Sequence, residues 1–290
     1  MTGPFLKAIS VADKSGFTGS GKNQFLSIEL ELDGFSFGIF DARSLKPSLI
    51  ESYIIQEGFS PSQFAAILHE FIVKSPVLLA PFEKVNLGWY HQHYTLVPEK
   101  LYLPSAKNKY HSLSADYSEG YLLSSDTLAK LGAYGIYPFP EVLDHKLKIL
   151  YPNVKIIHQA TILIENALKA FELVIDDFDI FLHIRPKKIE VLIFDKRRLV
   201  FYNSFSHQSI DDLMYFIFYV LEQFRLDAGK INAMVTGEIT ENSTTFQYLS
   251  KYFQKVALSP SNAPAHFDAA FGQVPEIVYH NLINLAKCEL

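Results

Sequence analysis

The stretch from Phe178 to Phe205, FDIFLHIRPKKIEVLIFDKRRLVFYNSF, decides the fold. It is typical of three short strands separated by two tight turns, at 185–188 and 195–198. The stretch from Leu26 to Gln56 has the same layout, and its first turn is Asp33-Gly34, a hairpin signal. In both copies an amphipathic helix follows, capped by Ser60 in the first copy and by Ser209 in the second. One supersecondary unit used twice predicts two similar domains in one chain.

Each copy continues in the order strand-strand-strand-helix-strand-helix-strand-helix. The tight turns make the meander antiparallel, whereas strands reached through helices lie parallel to their neighbours. The predicted fold class is therefore α/β, with two domains that each hold a mixed five-stranded sheet flanked by helices. We predict a flexible lead-in over 1–24 with one strand at Leu6–Val11, a first domain over 25–170 with an insertion near 108–125, and a second domain over 171–290.

Four further elements are predicted around the insertion and at the end of the chain. The alternation of apolar residues favours a strand over Val85–Val97 and another over Leu128–Tyr137. A short helix is predicted over Pro98–Lys107, and a last helix over Pro275–Ala286. The polar, tyrosine-rich residues 108–125 are predicted to form a loop.

The amino-acid composition limits which kinds of protein the chain can be. Of the 290 residues, 49% are apolar and 20% charged, which is enough to build packed cores. The net charge of −5 gives no electrostatic reason to expect a nucleic-acid or membrane partner. The single cysteine, Cys288, excludes an intrachain disulfide and a cysteine-ligated metal site. The sequence shows no signal peptide and no apolar run of about 18 residues, so we expect a cytoplasmic protein.

The duplicated element order resembles the actin-like ATPase superfamily, whose fold is a duplicated ribonuclease-H-like domain shared by actin, sugar kinases and the pilus-assembly and cell-division members. The resemblance covers residues 25–290. More narrowly, the chain is similar to an uncharacterised family of the Bacteroidota, domain of unknown function 3822.

This resemblance implies a nucleotide site between the two domains. In working members each first hairpin offers an acidic residue and glycines to the phosphates and magnesium, and a glycine pair in the second domain approaches the adenosine. Glycine suits these places because backbone amides must come close to phosphate oxygens. By resemblance, the cofactor-binding residues here are Asp33, Gly34 and Ser36 in the first hairpin, with Gly237 and Glu238 at the adenosine position.

The second hairpin departs from the pattern. Its turn is Arg185-Pro186-Lys187-Lys188, which has neither an acid nor a glycine, and proline lacks the amide. Only one glycine of the adenosine pair is present. The sequence therefore predicts a degenerate cleft without tight binding of ATP and Mg²⁺, and a non-catalytic binding or scaffold protein with no catalytic residues. The alternative is a working Mg-ATP-dependent ATPase or small-molecule kinase.

Other patterns leave further hypotheses open. The basic turn is either an anion site formed by Arg185, Lys187 and Lys188 or a solvated turn. His91 and His93 are either a zinc-ligating pair or exposed strand histidines. Asp179 either forms a nuclease-type acid pair with Glu190, its only plausible companion, or belongs with Asp176 and Asp177 to a solvated linker. Exposed aromatic side chains at 89–94 or 108–121 would offer a surface to a partner protein. The near-P-loop at Gly16–Asn23 precedes a strand instead of a helix, so we expect no nucleotide there.

Overall fold

A computed structural model describes residues 5–12, 22–31, 34–55, 58–116, 119–173, 179–260, 271 and 280–287. The chain divides into two compact units. The first holds the residues up to Ile162 and those from Asn281 onwards, whereas the second begins at Leu163. The predicted domain boundaries, 25–170 and 171–290, stay a prediction.

The first unit is built around two sheets. In chain order its elements are β1 (Phe5–Ala12), β2 (Gln24–Glu31), β3 (Gly34–Asp41), β4 (Pro47–Ile55), α1 (Pro61–Val73), β5 (Lys84–Trp89), β6 (Thr95–Pro98), α2 (Lys107–His111), β7 (Tyr121–Leu128), β8 (Ala133–Pro140), α3 (Glu141–Leu150), β9 (Lys155–His158) and the start of α4 (Gln159–Leu173). The main sheet has the order β1-β4-β3-β2-β5-β9, and a smaller sheet has the order β6-β8-β7.

The second unit is built around one sheet. After α4 the chain forms β10 (Ile180–Arg185), β11 (Lys188–Asp195), β12 (Arg198–Ser206), α5 (Ile210–Gln223), β13 (Asn232–Gly237), α6 (Thr244–Tyr252) and β14 (Lys255–Leu258). The last helix, α7 (His280–Ala286), belongs to the first unit from Asn281 on. The strand order is β12-β11-β10-β13-β14.

The two main sheets share one topology. β2, β3 and β4 pair antiparallel, as do β10, β11 and β12. β5 and β9 then extend the first sheet in parallel, and β13 and β14 extend the second in the same way. The predicted fold class is thus confirmed. The first sheet gains a sixth strand, because β1, the strand predicted in the lead-in, pairs antiparallel with β4.

Local signals explain where the helices begin. Ser60 Oγ accepts a hydrogen bond from the Gln63 amide, and the Gln63 side chain accepts one from the Ser60 amide, which completes a capping box with Pro61 at the first helical position of α1. Ser209 caps α5 by accepting from the Asp212 amide. Both caps lie where the sequence predicts them.

One face of each main sheet packs against helices to form a core. In the first unit this core contains Leu26, Ile28, Leu30, Phe37, Leu87 and Trp89 of the sheet, with Phe64, Leu68, Leu143 and Leu147 of α1 and α3. In the second unit it contains Ile180, Leu182, Ile189, Val191 and Val235 of the sheet, with Leu213, Ile217, Leu221 and Leu249 of α5 and α6.

The insertion differs most from the sequence-based expectation. The strand predicted over Val85–Val97 is two strands, β5 and β6, in different sheets. The helix predicted over Pro98–Lys107 is two short 3-10 turns that precede α2. The region 108–125, predicted as a loop, contains most of α2 and half of β7. β7 is polar and alternates weakly, and pairing along its whole length with β8 overrides that local signal.

Two other boundaries also shift. The strand predicted over Leu128–Tyr137 begins only at Ala133, because Leu128 ends β7. The last predicted helix is seen as α7 from His280, and its predicted first residues, 275–279, lie outside the described residues.

Candidate functional site

The first hairpin carries three of the predicted site residues. Asp33 lies outside the described residues, whereas Gly34 opens β3 and Ser36 follows. Ser36 is buried, and its hydroxyl donates to the Oγ of Ser52 on β4 at 3.0 Å. A Cβ on Gly34 would lie 2.5 Å from the carbonyl oxygen of Tyr53. Both described residues therefore serve the pairing of β3 with β4.

Gly237 has a packing reason of the same kind. It ends β13 with a φ of +99°, a conformation that favours glycine. A Cβ there would lie 2.2 Å from the carbonyl oxygen of Ile184 on β10, and the Glu238 amide donates to that same oxygen at 2.7 Å. Glycine at position 237 thus allows a close backbone approach between β13 and β10, which accounts for the glycine by packing within the protein.

Glu238 lies beside the second hairpin. Its Oε1 is 3.7 Å from Nε of Arg185, and Nε2 of His207 donates to the Arg185 carbonyl at 3.0 Å. Lys187 is exposed, but Lys188 is buried, so the interpretation as a solvated turn is wrong for Lys188. The structure therefore brings Gly237 and Glu238 together with Arg185, and Gly34 together with Ser36.

A buried row of polar side chains crosses the second sheet near the carboxyl ends of its parallel strands. His183, Glu190 and Thr236 occupy neighbouring positions on β10, β11 and β13, and none is more than 3% exposed. His183 Nε2 lies 3.9 Å from one carboxylate oxygen of Glu190, and the other accepts from the Tyr202 hydroxyl at 2.7 Å. These contacts hold Glu190 inside the sheet.

The structure separates Glu190 from Asp179, the companion considered for it. Asp179 precedes β10, and its Oδ2 accepts from the Asn232 amide at 2.9 Å. Glu190 pairs with His183 four residues further along β10, which places the two carboxylates roughly 13 Å apart along the strand. The nuclease-type acid pair is not formed.

A hydrogen-bonded group in the first unit surrounds Asp126, a residue that sequence reasoning missed. One carboxylate oxygen accepts from the Tyr137 hydroxyl at 2.9 Å. The other accepts from the His158 amide and from the Thr161 hydroxyl, both at 2.7 Å. The Thr161 hydroxyl also meets the Tyr94 hydroxyl at 2.7 Å. The group ties β7 and β8 to the junction of β9 and α4.

Burial dominates the electrostatics of Asp126. The residue as a whole keeps some solvent exposure, but its carboxylate is enclosed by donors, and the carboxylate decides the pKa. Desolvation raises the pKa of Asp126 to about 6, against the lowering effect of its three hydrogen bonds. Burial and the neighbouring carboxylate raise the pKa of Tyr137 well above its usual range, so this phenol keeps the proton that it donates.

His158 extends this group to His91. The His158 ring stacks on Tyr94 with ring centroids 4.6 Å apart, and its Nε2 lies 3.0 Å from both the amide and the carbonyl of His91. Burial, followed by the nearby His93 and His111, lowers the pKa of His91 to about 4. His91 therefore stays neutral over most of the acidic range.

Asp126 and His91 make the free energy of unfolding depend on pH in opposite directions. Folded Asp126 keeps its proton up to about pH 6, whereas an ordinary aspartate loses it near 3.8, so its contribution to the free energy of unfolding falls as pH rises through this window. Folded His91 resists protonation down to about pH 4, whereas an ordinary histidine charges below 6.5, so its contribution rises with pH. In the wild-type protein the two slopes oppose each other.

We expect single substitutions to separate the two slopes. Asp126→Asn leaves the rising contribution of His91, so its free energy of unfolding should rise more steeply than wild type between pH 4 and 6. His91→Gln leaves the falling contribution of Asp126, which its pKa shift sets at up to about 3 kcal/mol over that window. Urea denaturation at a series of pH values measures both, and parallel profiles for the three proteins would contradict the assignment.

The histidines do not form a metal centre in the described residues. The ring centroids of His91 and His93 are 5.3 Å apart, and those of His93 and His111 are 6.2 Å apart. The described ranges contain no group of three or more His, Cys, Asp or Glu side chains placed to hold a metal ion. Among the same residues, no helix is both long enough and apolar enough to cross a bilayer.

Where the structure describes the segments 89–94 and 108–121, their aromatic rings are buried or half-buried, so the exposed aromatic patch expected there is not seen in the described residues. Trp89 is fully buried, and its indole nitrogen donates to the Pro138 carbonyl at 2.9 Å. The most exposed apolar side chains near these segments are leucines, namely Leu101, Leu103 and Leu113. Exposed aromatic rings instead lie in the second unit, on α5 and α6.

Comparison with known proteins supports the fold. A family model described as protein of unknown function (DUF3822) matches residues 17–256. A structure from Bacteroides thetaiotaomicron, described as a protein with actin-like ATPase fold and unknown function, is 20% identical with a TM-score of 0.74, over 93% of this chain and 97% of that chain. No curated protein matches the sequence.

A second solved structure is that of a PilM–PilN type IV pilus biogenesis complex. Its TM-score is 0.57 at 11% identity, over 90% of this chain and 97% of that chain. At such identities a likeness establishes the fold alone.

Proposed function

The chain belongs to the DUF3822 family of proteins of unknown function and has the actin-like ATPase fold, and from this premise we propose that it is a non-catalytic binding or scaffold protein with a degenerate nucleotide cleft. The resemblance inferred from the element order is thus confirmed by the family match, while the activity is our proposal.

The main evidence for this proposal is the second hairpin. Where working members present an acid and glycines to phosphate and magnesium, this chain has Arg185-Pro186-Lys187-Lys188. The charge of Arg185 is already offset by Glu238, and Lys188 is buried. A turn with a proline, no carboxylate and one cation already paired offers few amides to phosphate and no ligand to Mg²⁺.

The glycines support the same conclusion. A Cβ added at position 34 or 237 would collide with a carbonyl oxygen of the neighbouring strand, so strand packing requires glycine at both positions. Their presence therefore needs no nucleotide to account for it. Glu238 has Arg185 as a partner, and Ser36 has Ser52.

A protein partner is the second part of the proposal. A related fold has been solved as the PilM–PilN complex, so the fold serves in at least one protein assembly. We place this chain in the cytoplasm, with a protein as its partner instead of nucleic acid or membrane, in keeping with its net charge of −5.

One buried polar group bears on the alternative, a working Mg-ATP-dependent enzyme. Gln159 follows the end of β9 and is buried, and neither of its side-chain amide atoms has a hydrogen-bond partner among the described residues. An unsatisfied buried amide is costly and is often met by water or by a ligand. This observation makes a direct test of hydrolysis necessary.

Phosphate release from Mg-ATP tests the proposal against this alternative. We expect the wild-type protein and Asp33→Ala to release phosphate at the same rate as a blank without protein, because the second hairpin offers no ligand to magnesium. Asp116→Ala, which changes an exposed aspartate outside the predicted site residues, serves as the matched control. Release by the wild type that falls with Asp33→Ala and persists with Asp116→Ala would instead establish the enzyme.

A further inference from the structure

The outward side of α5 carries exposed tyrosine rings. Tyr215 and Tyr219 are 63% and 47% exposed, and their rings stack with centroids 6.2 Å apart. Aromatic residues form helices less readily than the long charged residues that usually occupy outward positions, so the stability of the helix gives no reason for them. Nor do they serve the core, which α5 reaches through a separate set of buried side chains, Leu213, Met214, Ile217, Val220 and Leu221.

A third exposed ring extends this surface to α6. Tyr252 is 47% exposed, and its ring contacts that of Phe218 on α5 with centroids 5.2 Å apart. Phe218 directly precedes Tyr219 and lies one helical turn from Tyr215. We name Tyr215, Tyr219 and Tyr252 the tyrosine face. Grouped exposed tyrosines are typical of protein-binding surfaces, where such rings supply much of the binding energy.

Acidic side chains lie at both ends of the tyrosine face on α5. Asp211 precedes Tyr215 by four residues, and Glu222 follows Tyr219 by three. At the helical repeat these four residues share one side of α5, over a length of about 16 Å. Both acids are exposed, and neither forms an ion pair within the part of the chain that the structure describes. The surface therefore combines aromatic rings with negative charge.

Glu222 occupies a position where a helix favours a cation. It lies in the last turn of α5, which contains no basic residue. Because the carbonyl groups at a helix C-terminus carry partial negative charge, a carboxylate there is unfavourable. Asp211 lies in the first turn, where the helix stabilises it, but Glu222 has no such local reason. The charge of Glu222 therefore indicates a cation supplied from outside the helix.

The first unit shows how an acid and a tyrosine together hold a cation. Nζ of Lys7 lies 2.6 Å from Oε1 of Glu51 and 5.4 Å from the centre of the Tyr53 ring. Such an arrangement combines an ion pair with a cation–π contact. Within the described ranges no lysine or arginine lies in this way over the tyrosine face. The outward side of α5 thus has the ring and the carboxylate of the Lys7 site without the cation.

We propose that the tyrosine face, together with Asp211 and Glu222, is a docking site for a basic segment of a partner protein. Arginines of that segment stack on the tyrosine rings, and its charges pair with the two carboxylates. Nucleic acid and anionic lipid fit this surface poorly, because their phosphates would meet the same carboxylates. The inference deepens the proposed binding role and rests on it, but it does not depend on whether nucleotide binds.

Fluorescence anisotropy with the full chain tests the site. The probe is a labelled, alanine-rich helical peptide in which arginine recurs at every fourth residue. We expect saturable binding that weakens about tenfold in the double variant Tyr215→Ala/Tyr219→Ala, since both stacking rings are removed. Both rings are exposed, so the variant should fold, and circular dichroism checks this. Tyr248→Ala removes an exposed ring that already has Lys251 over it at 4.8 Å, so this matched control should bind as wild type does.

Two further comparisons separate the contribution of charge from that of stacking. Glu222→Gln should weaken binding about threefold, whereas Glu141→Gln, which changes an exposed glutamate of the first unit, should leave it unchanged. A second probe with lysine in place of each arginine has the same charge but lacks the planar guanidinium groups. It should bind the wild-type protein about threefold more weakly or worse, and this comparison needs no variant to fold.

Any one of four results would overturn the inference. They are no saturable binding of the arginine probe, equal binding by wild type and the double variant, equal binding of the arginine and lysine probes, and equal effects of Glu222→Gln and Glu141→Gln. Sedimentation of the chain alone adds a fifth, because a wild-type dimer that the double variant loses would assign the face to a second copy. Since Mg-ATP hydrolysis is read separately, failure of the docking site and failure of the proposed non-catalytic role are distinguishable.

Discussion

Asp126→Ala should lower the free energy of unfolding at neutral pH by about 2 to 4 kcal/mol. After this change the Tyr137 hydroxyl can donate to the Ile156 carbonyl, 3.3 Å away, and the Thr161 hydroxyl retains its hydrogen bond with the Tyr94 hydroxyl. The buried His158 amide, however, loses its acceptor. An orphaned buried backbone donor carries most of the expected loss. Urea denaturation followed by circular dichroism measures it.

Two control variants isolate the cause of this loss. Asp126→Asn keeps an acceptor for the His158 amide and removes the buried charge, so it should lie within about 1 kcal/mol of wild type. Asp144→Ala breaks an exposed i,i+4 pair with Lys148 and should cost less than about 0.5 kcal/mol. Equal losses for Asp126→Ala and Asp126→Asn would show that the hydrogen-bonded group does not stabilise the fold as described.

Gly237→Ala is the second substitution with a large expected effect. Its Cβ would lie 2.2 Å from the Ile184 carbonyl oxygen, so β10 or β13 must move, and the bond from the Glu238 amide is lost with it. We expect a loss of about 3 kcal/mol or more, or failure to fold, from the clash and the positive φ together. Thermal and urea denaturation would show either outcome.

Gly132→Ala is the matched control for this substitution. Gly132 also has a positive φ, +62°, but no atom lies within 4 Å of a Cβ placed there. It should therefore show only the backbone cost, about 1 kcal/mol. If Gly237→Ala proved as mild as Gly132→Ala, the close approach to Ile184 would not be the reason for glycine at 237.

The fold could be predicted because its strongest signals are local and occur twice. Asp33-Gly34 and 185–188 mark tight turns between alternating apolar runs, and Ser60 and Ser209 mark helix starts. Tight turns fix antiparallel neighbours, and helical crossovers fix parallel ones. The pairing of β1 with β4 is not visible in this way, because it joins residues far apart in sequence.

The Asp126 group could not be predicted for a related reason. Its members come from β7, β8, the end of β9 and the start of α4, and none of these stretches forms a motif. One signal was available: Asp126 is a carboxylate directly after the predicted loop 108–125, in a stretch that proved to be part of β7. A carboxylate in a partly buried strand needs donors, and His158 and Thr161 supply them at a strand end.

The predicted nucleotide residues illustrate a different limit. The resemblance to the superfamily predicts nucleotide contacts for Gly34, Gly237 and Glu238. It could not show that the glycines face neighbouring carbonyl oxygens, or that Glu238 meets Arg185. Such contacts depend on which strand lies beside which, and a turn sequence alone does not specify them.

Isothermal titration of the full chain with Mg-ATP is the decisive measurement for the proposed non-catalytic role. We expect no low-micromolar binding, because the second hairpin offers a proline, a buried lysine and an arginine already beside Glu238. Saturable low-micromolar binding that depends on magnesium and is weakened by Asp33→Ala would instead show that the chain binds nucleotide as a working enzyme does.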